Sequence, residues 1–322
     1  MFVSYLVVLL FFKLVIRNFF SMANYSYQGT PPGKTFLSDV MHILVLAILL
    51  IVLMVILTKF KVVHPSVVPG WQGVYCTYIE GKHSQVAIIS SKTGSGDAAQ
   101  LLATISNERP DLRVSPIAAR DLSPQLLSRF ELVILEQSKD ISFKSMDALQ
   151  SYLDKGGSMV WTGDSLSNQQ PDASDIAEAR QRNETEKNFS SKYGGQWASY
   201  YDYFLDRTKQ PGFGSFGEQF IGSYIATTPK QNSALKIILD DHLLVTGLVK
   251  DLPLKPGTKV TQVNTGSGLA LIASIPTGID DEEIPGIVEQ KYVGRIIYVA
   301  APLTAIDSKT FRQNLYDYLV TC

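Results

Sequence analysis

The sequence predicts an α/β fold, a mainly parallel sheet sandwiched by helices, preceded by an N-terminal transmembrane helix. Three observations predict it. An apolar run fills residues 40–58, short strands that are apolar throughout alternate with amphipathic helical stretches, and glycine, proline and capping residues separate them. Strands without polar alternation are buried on both faces, as parallel strands under crossover helices are.

The anchor comes first. From Ile43 to Leu57, "ILVLAILLIVLMVIL" has no polar side chain, and extension to Val40 and Thr58 takes in only His42. That gives about the ~20 residues a spanning helix needs. In hydrocarbon every backbone group bonds internally, so the form is a helix; a buried core helix rarely stays apolar on all faces for so long. No small-residue cleavage site follows, so the span is read as a retained anchor. A second hydrophobic segment, residues 1–20, is interrupted by Lys13 and Arg17; a charge at mid-bilayer costs ~2.5–3.5 kcal/mol. It reads as a poor first span, an interfacial helix, or sequence upstream of a start at Met22. The chain divides into an anchor (1–62), a tether with a first strand (63–84) and an α/β domain (85–322) with an insertion over about 166–207.

Lys13, Arg17 and Lys34 before the span balance Lys59 and Lys61 after it, so charge hardly orients the chain. The sequons at Asn183 and Asn188 favour an extracytoplasmic domain; a third at Asn24 would fall on the other side. The protein is thus expected in the membrane, single-pass or two-pass, with the bilayer as one partner. A net charge of −1 and 18% charged residues exclude an electrostatic nucleic-acid binder. Cys76 and Cys322 would pair in an oxidising compartment or stand as unrelated thiols; spacing does not decide.

After the two prolines of His64–Gly70, the elements follow in order. "QVAIIS" (85–90) is a strand, "SKTGSGD" a glycine turn, and Ala98–Ser106 a helix. "LRVSPIAA" (112–119) is a second strand, Ser123-Pro a helix start, and "ELVILEQ" (131–137) a third strand. In "SFKSMDALQSYLDKGG", Phe143, Met146, Leu149, Tyr152 and Leu153 fall at helical spacing before Gly156-Gly157, and "SMVWTG" is the fourth strand. The insertion carries a polar helical run and the aromatics Trp197, Tyr200, Tyr201, Tyr203 and Phe204, a helix face more than a platform. Further strands are "ALKIIL", "KVTQVN", "LALIAS" and "GRIIYVAAP", with Asn264–Gly268 expected to join two of them as a hairpin; "DSKTFRQNLYDYLV" is the closing helix.

Groups that bind or react in such sheets sit in loops at the carboxyl ends of the strands, here 91–97, 136–142 and 163–168. Gly94-Ser-Gly96-Asp-Ala-Ala99 fits a relaxed dinucleotide fingerprint, but Arg113–Pro116 holds no carboxylate for the ribose, and Lys92-Thr93 precedes the glycines as no P-loop allows. The loop reads as a tight turn at positive φ, and no cofactor is expected. Asp240, Asp241 and His242 read as an acidic turn and Asp280–Glu283 as a solvated loop, so no metal site is expected.

Gly163-Asp-Ser-Leu166 spells the letters that carry the nucleophile of one esterase group. A serine hydrolase needs a histidine base and a carboxylate behind it, and the runner-up set is Ser165, His242 and Asp164. In those esterases the serine follows the first strand, with a Gly-x-Asn-Asp block and an Asp-x-x-His pair near the C-terminus. Here it follows the fourth strand, no such block follows, and Leu239 stands three places before His242.

Three segments resemble class I glutamine-amidotransferase-like domains and their ThuA-like and β-galactosidase-trimerisation-like relatives. They are "ELVILEQSKDISFKSMDALQSYLDKGGSMVWTGDS", "DDHLLVTGLVKDLPL" with Leu243 in place of a usual proline, and "KYVGRIIYVAAPLTAIDSKTFRQNLYDYLV". The likeness spans about Gln85 to Val320 and implies a flavodoxin-like sandwich. In catalytic members a histidine-activated cysteine occupies the sharp turn after the strand matching Met159–Thr162. That turn here is Thr162-Gly-Asp-Ser165, and both cysteines lie elsewhere, so no thiolate is available. The expectation is a membrane-anchored, non-catalytic amidotransferase-like domain that binds a small ligand or protein partner. Its crevice would comprise Ser91, Thr93, Gly94, Gly96, Gln137, Gly163, Asp164 and Ser165, edged by Tyr200, Tyr201 and His242. The alternatives are a membrane-tethered serine hydrolase using Ser165 and a scaffold component of a membrane complex.

Overall fold

The structure, a computed structural model, describes residues 32–59, 68, 71–80, 84–171, 173–185, 201, 212–230, 234–248, 251–276 and 283–320. Residues 1–20, Asn188, Trp197, Tyr200, Tyr203, Phe204 and Cys322 lie outside the described residues. The chain forms two units, Met1–Gly81 and Lys82–Cys322.

In the first unit, Pro32–Lys59 is one helix, and its stretch Val40–Thr58 is long and apolar enough to cross a membrane. At 1.5 Å per residue those 19 residues rise about 28 Å, close to a hydrocarbon core. Trp71–Val74 is helical and runs into a π-helical stretch, Tyr75–Glu80. The strand expected before residue 85 is therefore corrected to helix. Trp71 and Tyr75, one turn apart, bring their rings to 6.2 Å, a contact that helical spacing permits and strand alternation does not. The Trp71 indole N–H donates to the Thr58 hydroxyl at 3.0 Å. Cys76 is disulfide-bonded.

The second unit is built on strands β1 (Gln85–Ser90), β2 (Arg113–Ala118), β3 (Leu132–Leu135), β4 (Asp140–Ile141), β5 (Ser158–Thr162), β6 (Asn168–Gln169), β7 (Gly222–Lys230), β8 (Ala234–Ile237), β9 (Leu252–Pro253), β10 (Thr258–Thr265), β11 (Ala270–Pro276), β12 (Glu283–Lys291) and β13 (Arg295–Val299). Nine of them form one sheet, ordered β2-β1-β3-β5-β13-β12-β11-β8-β9. The pairings from β2 to β13 are parallel and those from β13 to β9 antiparallel. The sheet is thus mixed, which corrects the mainly parallel expectation. The added half was hard to read because β12, "EIPGIVEQK", carries Pro285 and Gly286, which mask strand patterning. A second correction concerns Asn264–Gly268. It does not close a hairpin, because β10 pairs antiparallel with β7 in a separate ribbon while β11 joins the large sheet.

Three of the helices that follow parallel strands have a readable start. Asp97 caps Ala98–Glu108, Ser142 caps Phe143–Asp154 and Ser308 caps Lys309–Leu319, each side chain accepting from a backbone N–H three residues on. β1 leads to β2 on one side and β3 to β5 on the other. Right-handed crossovers then place Ala98–Glu108 and Phe143–Asp154 on opposite faces. Ala98–Glu108 shares its face with Lys309–Leu319, and the two are tied by Arg312–Glu108 at 2.6 Å and Arg109–Asp317 at 2.5 Å. β3 and β5 are buried along their whole length. Trp161, fully buried on β5, packs against Phe213 at 4.6 Å and Tyr298 at 6.1 Å between ring centres.

Candidate functional site

The strand order reverses between β1 and β3, and the loops beyond their carboxyl ends are the natural place for a site. Gly94 and Gly96 take φ of +124° and +100°, the left-handed freedom the glycine turn requires. They also let two loops touch. A Cβ on Gly94 would meet the Gln137 backbone at 3.0 Å, and one on Gly96 the Glu136 carboxylate at 2.6 Å. Backbone bonds then lace residues 91–97 to 137–139: Ser91 N–H to Gln137 O at 2.8 Å, Gln137 N–H to Ser95 O and Lys139 N–H to Thr93 O, both at 3.1 Å. The short parallel pair β4–β6 ties in the third loop.

The corner after β5 is closed in the same way. Gly163 stands at φ +52°, and a side chain there would collide with the Ser95 hydroxyl. Asp164 is buried, and its Oδ1 accepts from the Ser95 N–H at 2.7 Å and the Ser95 hydroxyl at 2.6 Å. Ser165 is fully buried, and its hydroxyl donates to Leu135 O at 3.3 Å. His242 is not brought to it. Its Nε2 faces Glu289 Oε2 at 3.2 Å, its Nδ1 accepts from Leu244 N–H at 3.2 Å, and its ring packs edge-on to Tyr318. Glu289 pairs with Ile297 midway along β13, and Tyr318 lies beside Arg295, the first residue of that strand. Tyr201 lies under the Arg180 guanidinium, 5.6 Å away, and the Asn183 sequon falls within the helix Ala173–Thr185.

Glu136 was not singled out by sequence reasoning, although a carboxylate directly ending the apolar run "LVIL" was the available signal. It is fully buried and joins three strand ends. The Thr162 hydroxyl lies 2.8 Å from it, and Leu303 N–H (3.1 Å), Thr304 N–H (3.3 Å) and the Thr304 hydroxyl (2.8 Å) donate to it. Burial pushes its carboxyl above the ordinary range, against these hydrogen bonds. The Thr162 hydroxyl also lies 2.7 Å from Leu135 O, so its one proton is shared between that carbonyl and the Glu136 carboxyl. Two non-glycine residues nearby, Gln137 (φ +59°) and Leu166 (φ +64°), hold left-handed backbone, a strain of about 1–3 kcal/mol each.

Open space lies one strand further on. A cavity of about 500 Å³ is bounded by residues 90–92 after β1, 118–120 after β2, 140–142 and 170–171. Of the expected crevice it includes Ser91; Lys92, Arg120 and Gln170 are newly placed there. Their codes carried no spacing signal, because they meet only through the strand order.

A scan against family models finds no match, and a search of curated proteins finds none either. Among solved structures, the chain is similar to a ThuA-like protein from Bacteroides uniformis at 12% identity, over 74% of this chain and 92% of that one, with a TM-score of 0.47. It is also similar to a β-galactosidase from Bacillus circulans sp. alkalophilus at 12% identity and a TM-score of 0.48, over 74% of this chain but only 30% of the galactosidase. A Thermoplasma acidophilum protein described as a GMP synthase component aligns at 9% identity over 72% of this chain and 92% of its own, with a TM-score of 0.40.

Proposed function

We infer that the chain is a membrane-anchored, non-catalytic binding module whose α/β domain takes a ligand at the carboxyl ends of its parallel strands. One observation carries this reading. At the corner after β5, where a nucleophile would stand, there is a glycine whose missing side chain makes room for Ser95. The neighbouring Asp164 and Ser165 are buried and bonded inward. A hydroxyl with no access to solvent, and with no base in reach among the described residues, is a poor nucleophile. The β2-β1-β3-β5-β13 order supports a flavodoxin-like parallel half that presents such a site. The stretch Val40–Thr58 supports anchoring, and the disulfide at Cys76 supports an oxidising, extracytoplasmic setting.

The test uses the full chain in lipid nanodiscs, assayed against glutamine and a panel of acyl esters. The expected result is no turnover above that of Ser165→Ala; turnover abolished by that substitution refutes the reading. Release of the chain from membranes washed with alkaline carbonate refutes the anchor, and a domain protected from protease on intact cells refutes the outward setting.

A further inference from the structure

We propose that the 500 Å³ cavity between β1, β2 and the Asp140 loop binds a small organic anion, an acidic head on an apolar body, held by Lys92 and Arg120. This assignment rests on the binding reading above and gives it a ligand class. A cavity of this size falls in the range that holds small molecules. Part of its lining is apolar, with Ala118, Ala119, Ile141 and Pro171, which suits a body that leaves water.

Charge decides the head. Among the described residues, three charged side chains line the cavity, Lys92 and Arg120 against Asp140. Lys92 forms no ion pair among the described residues. Among the described residues Arg120 pairs with Asp121 alone, at 3.7 Å, with side chains 84% and 63% exposed, a pair that holds it weakly. Asp140 is already engaged: its carboxylate accepts from the Thr93 hydroxyl, from Asn168 Nδ2 at 2.5 Å and from Gln170 Nε2 at 3.4 Å. It serves as the tie that joins three loops, while neither lining cation has a strong partner among the described residues. A carboxylate or phosphate ester is what such a pair recognises.

The experiment is equilibrium dialysis of the full chain in phosphatidylcholine nanodiscs, with phenyl phosphate as probe and benzyl alcohol as its neutral counterpart. Phenyl phosphate is expected to bind and benzyl alcohol to bind far more weakly. Lys92→Ala with Arg120→Ala weakens phenyl phosphate about tenfold, the effect of two partly exposed cations. Lys92→Arg, which keeps the charge, retains binding, and near-ultraviolet circular dichroism of each variant matches the parent. In discs doped with phosphatidic acid, lost probe binding identifies lipid as the source of the anion, and unchanged binding a soluble one; both outcomes support the acidic head. Absence of phenyl phosphate binding, equal binding of the two probes, or indifference to the double substitution overturns the assignment. These failures leave the binding reading intact, whereas Ser165-dependent ester turnover sinks that reading itself.

Discussion

Glu136→Gln separates two descriptions of the buried carboxyl that links β3, β5 and the loop after β13. Both oxygens of Glu136 receive a backbone N–H, Leu303 on one and Thr304 on the other. Whichever way the amide of glutamine is turned, its nitrogen faces one of these donors, so one buried N–H loses its acceptor. That costs about 1–3 kcal/mol. The cost depends on pH, because only the parent titrates at this position. Burial raises the Glu136 carboxyl above its unfolded value of 4.5. A group shifted upward contributes stability that is complete below about pH 4.5 and lost as pH rises through the folded value, by up to about 1.4 kcal/mol per pH unit. Parent and variant should therefore differ most near pH 4 and converge, or cross, towards pH 8. Urea unfolding of the full chain in detergent, followed by tryptophan fluorescence across that range, measures the difference, and all other carboxyls cancel. A gap that stays constant or widens with pH would show an ionised Glu136 and refute the reasoning.

Three further outcomes are expected from unfolding measurements of the same kind. Gly163→Ala forces a side chain into left-handed backbone and against the Ser95 hydroxyl; it should lose at least about 1–2 kcal/mol, and a variant as stable as the parent contradicts the sealed corner. Trp161→Ala empties the centre of the aromatic cluster around Phe213 and Tyr298 and should cost about 3–5 kcal/mol; a loss below about 1 kcal/mol would show a loosely packed core. At Glu289, burial acts to raise the carboxyl, but hydrogen bonds from His242 and Tyr318 and the nearby Lys291 hold it below the ordinary range. Its contribution is present above about pH 4.5 and lost as pH falls through the folded value, so the advantage of the parent over Glu289→Gln should shrink on acidification; an advantage independent of pH counts against the pairing.

Much of the architecture was legible locally. The apolar run 40–58, the apolar centres of β1, β3 and β5, and the caps Asp97, Ser142 and Ser308 each state their element within a few residues, because burial on all faces and orphaned N–H groups leave a periodic or terminal mark. Beyond β13, β8, β10 and β11 were legible as strands, but β12 and the pairing were not, since Pro285 and Gly286 blur β12 and the partner of β10 is β7 rather than the adjacent β11.

The sequence by itself determined that an α/β domain follows an apolar helix, and that no cysteine occupies the turn after β5. Only the tertiary structure decided that Gly163, Ser95 and Asp164 close that turn, that His242 turns to Glu289, and that Lys92 and Arg120 border one cavity. The reason is physical: helices and buried strands are written in neighbours along the chain, whereas a site is made by loops brought together through strand order, and strand order leaves no mark on any one segment.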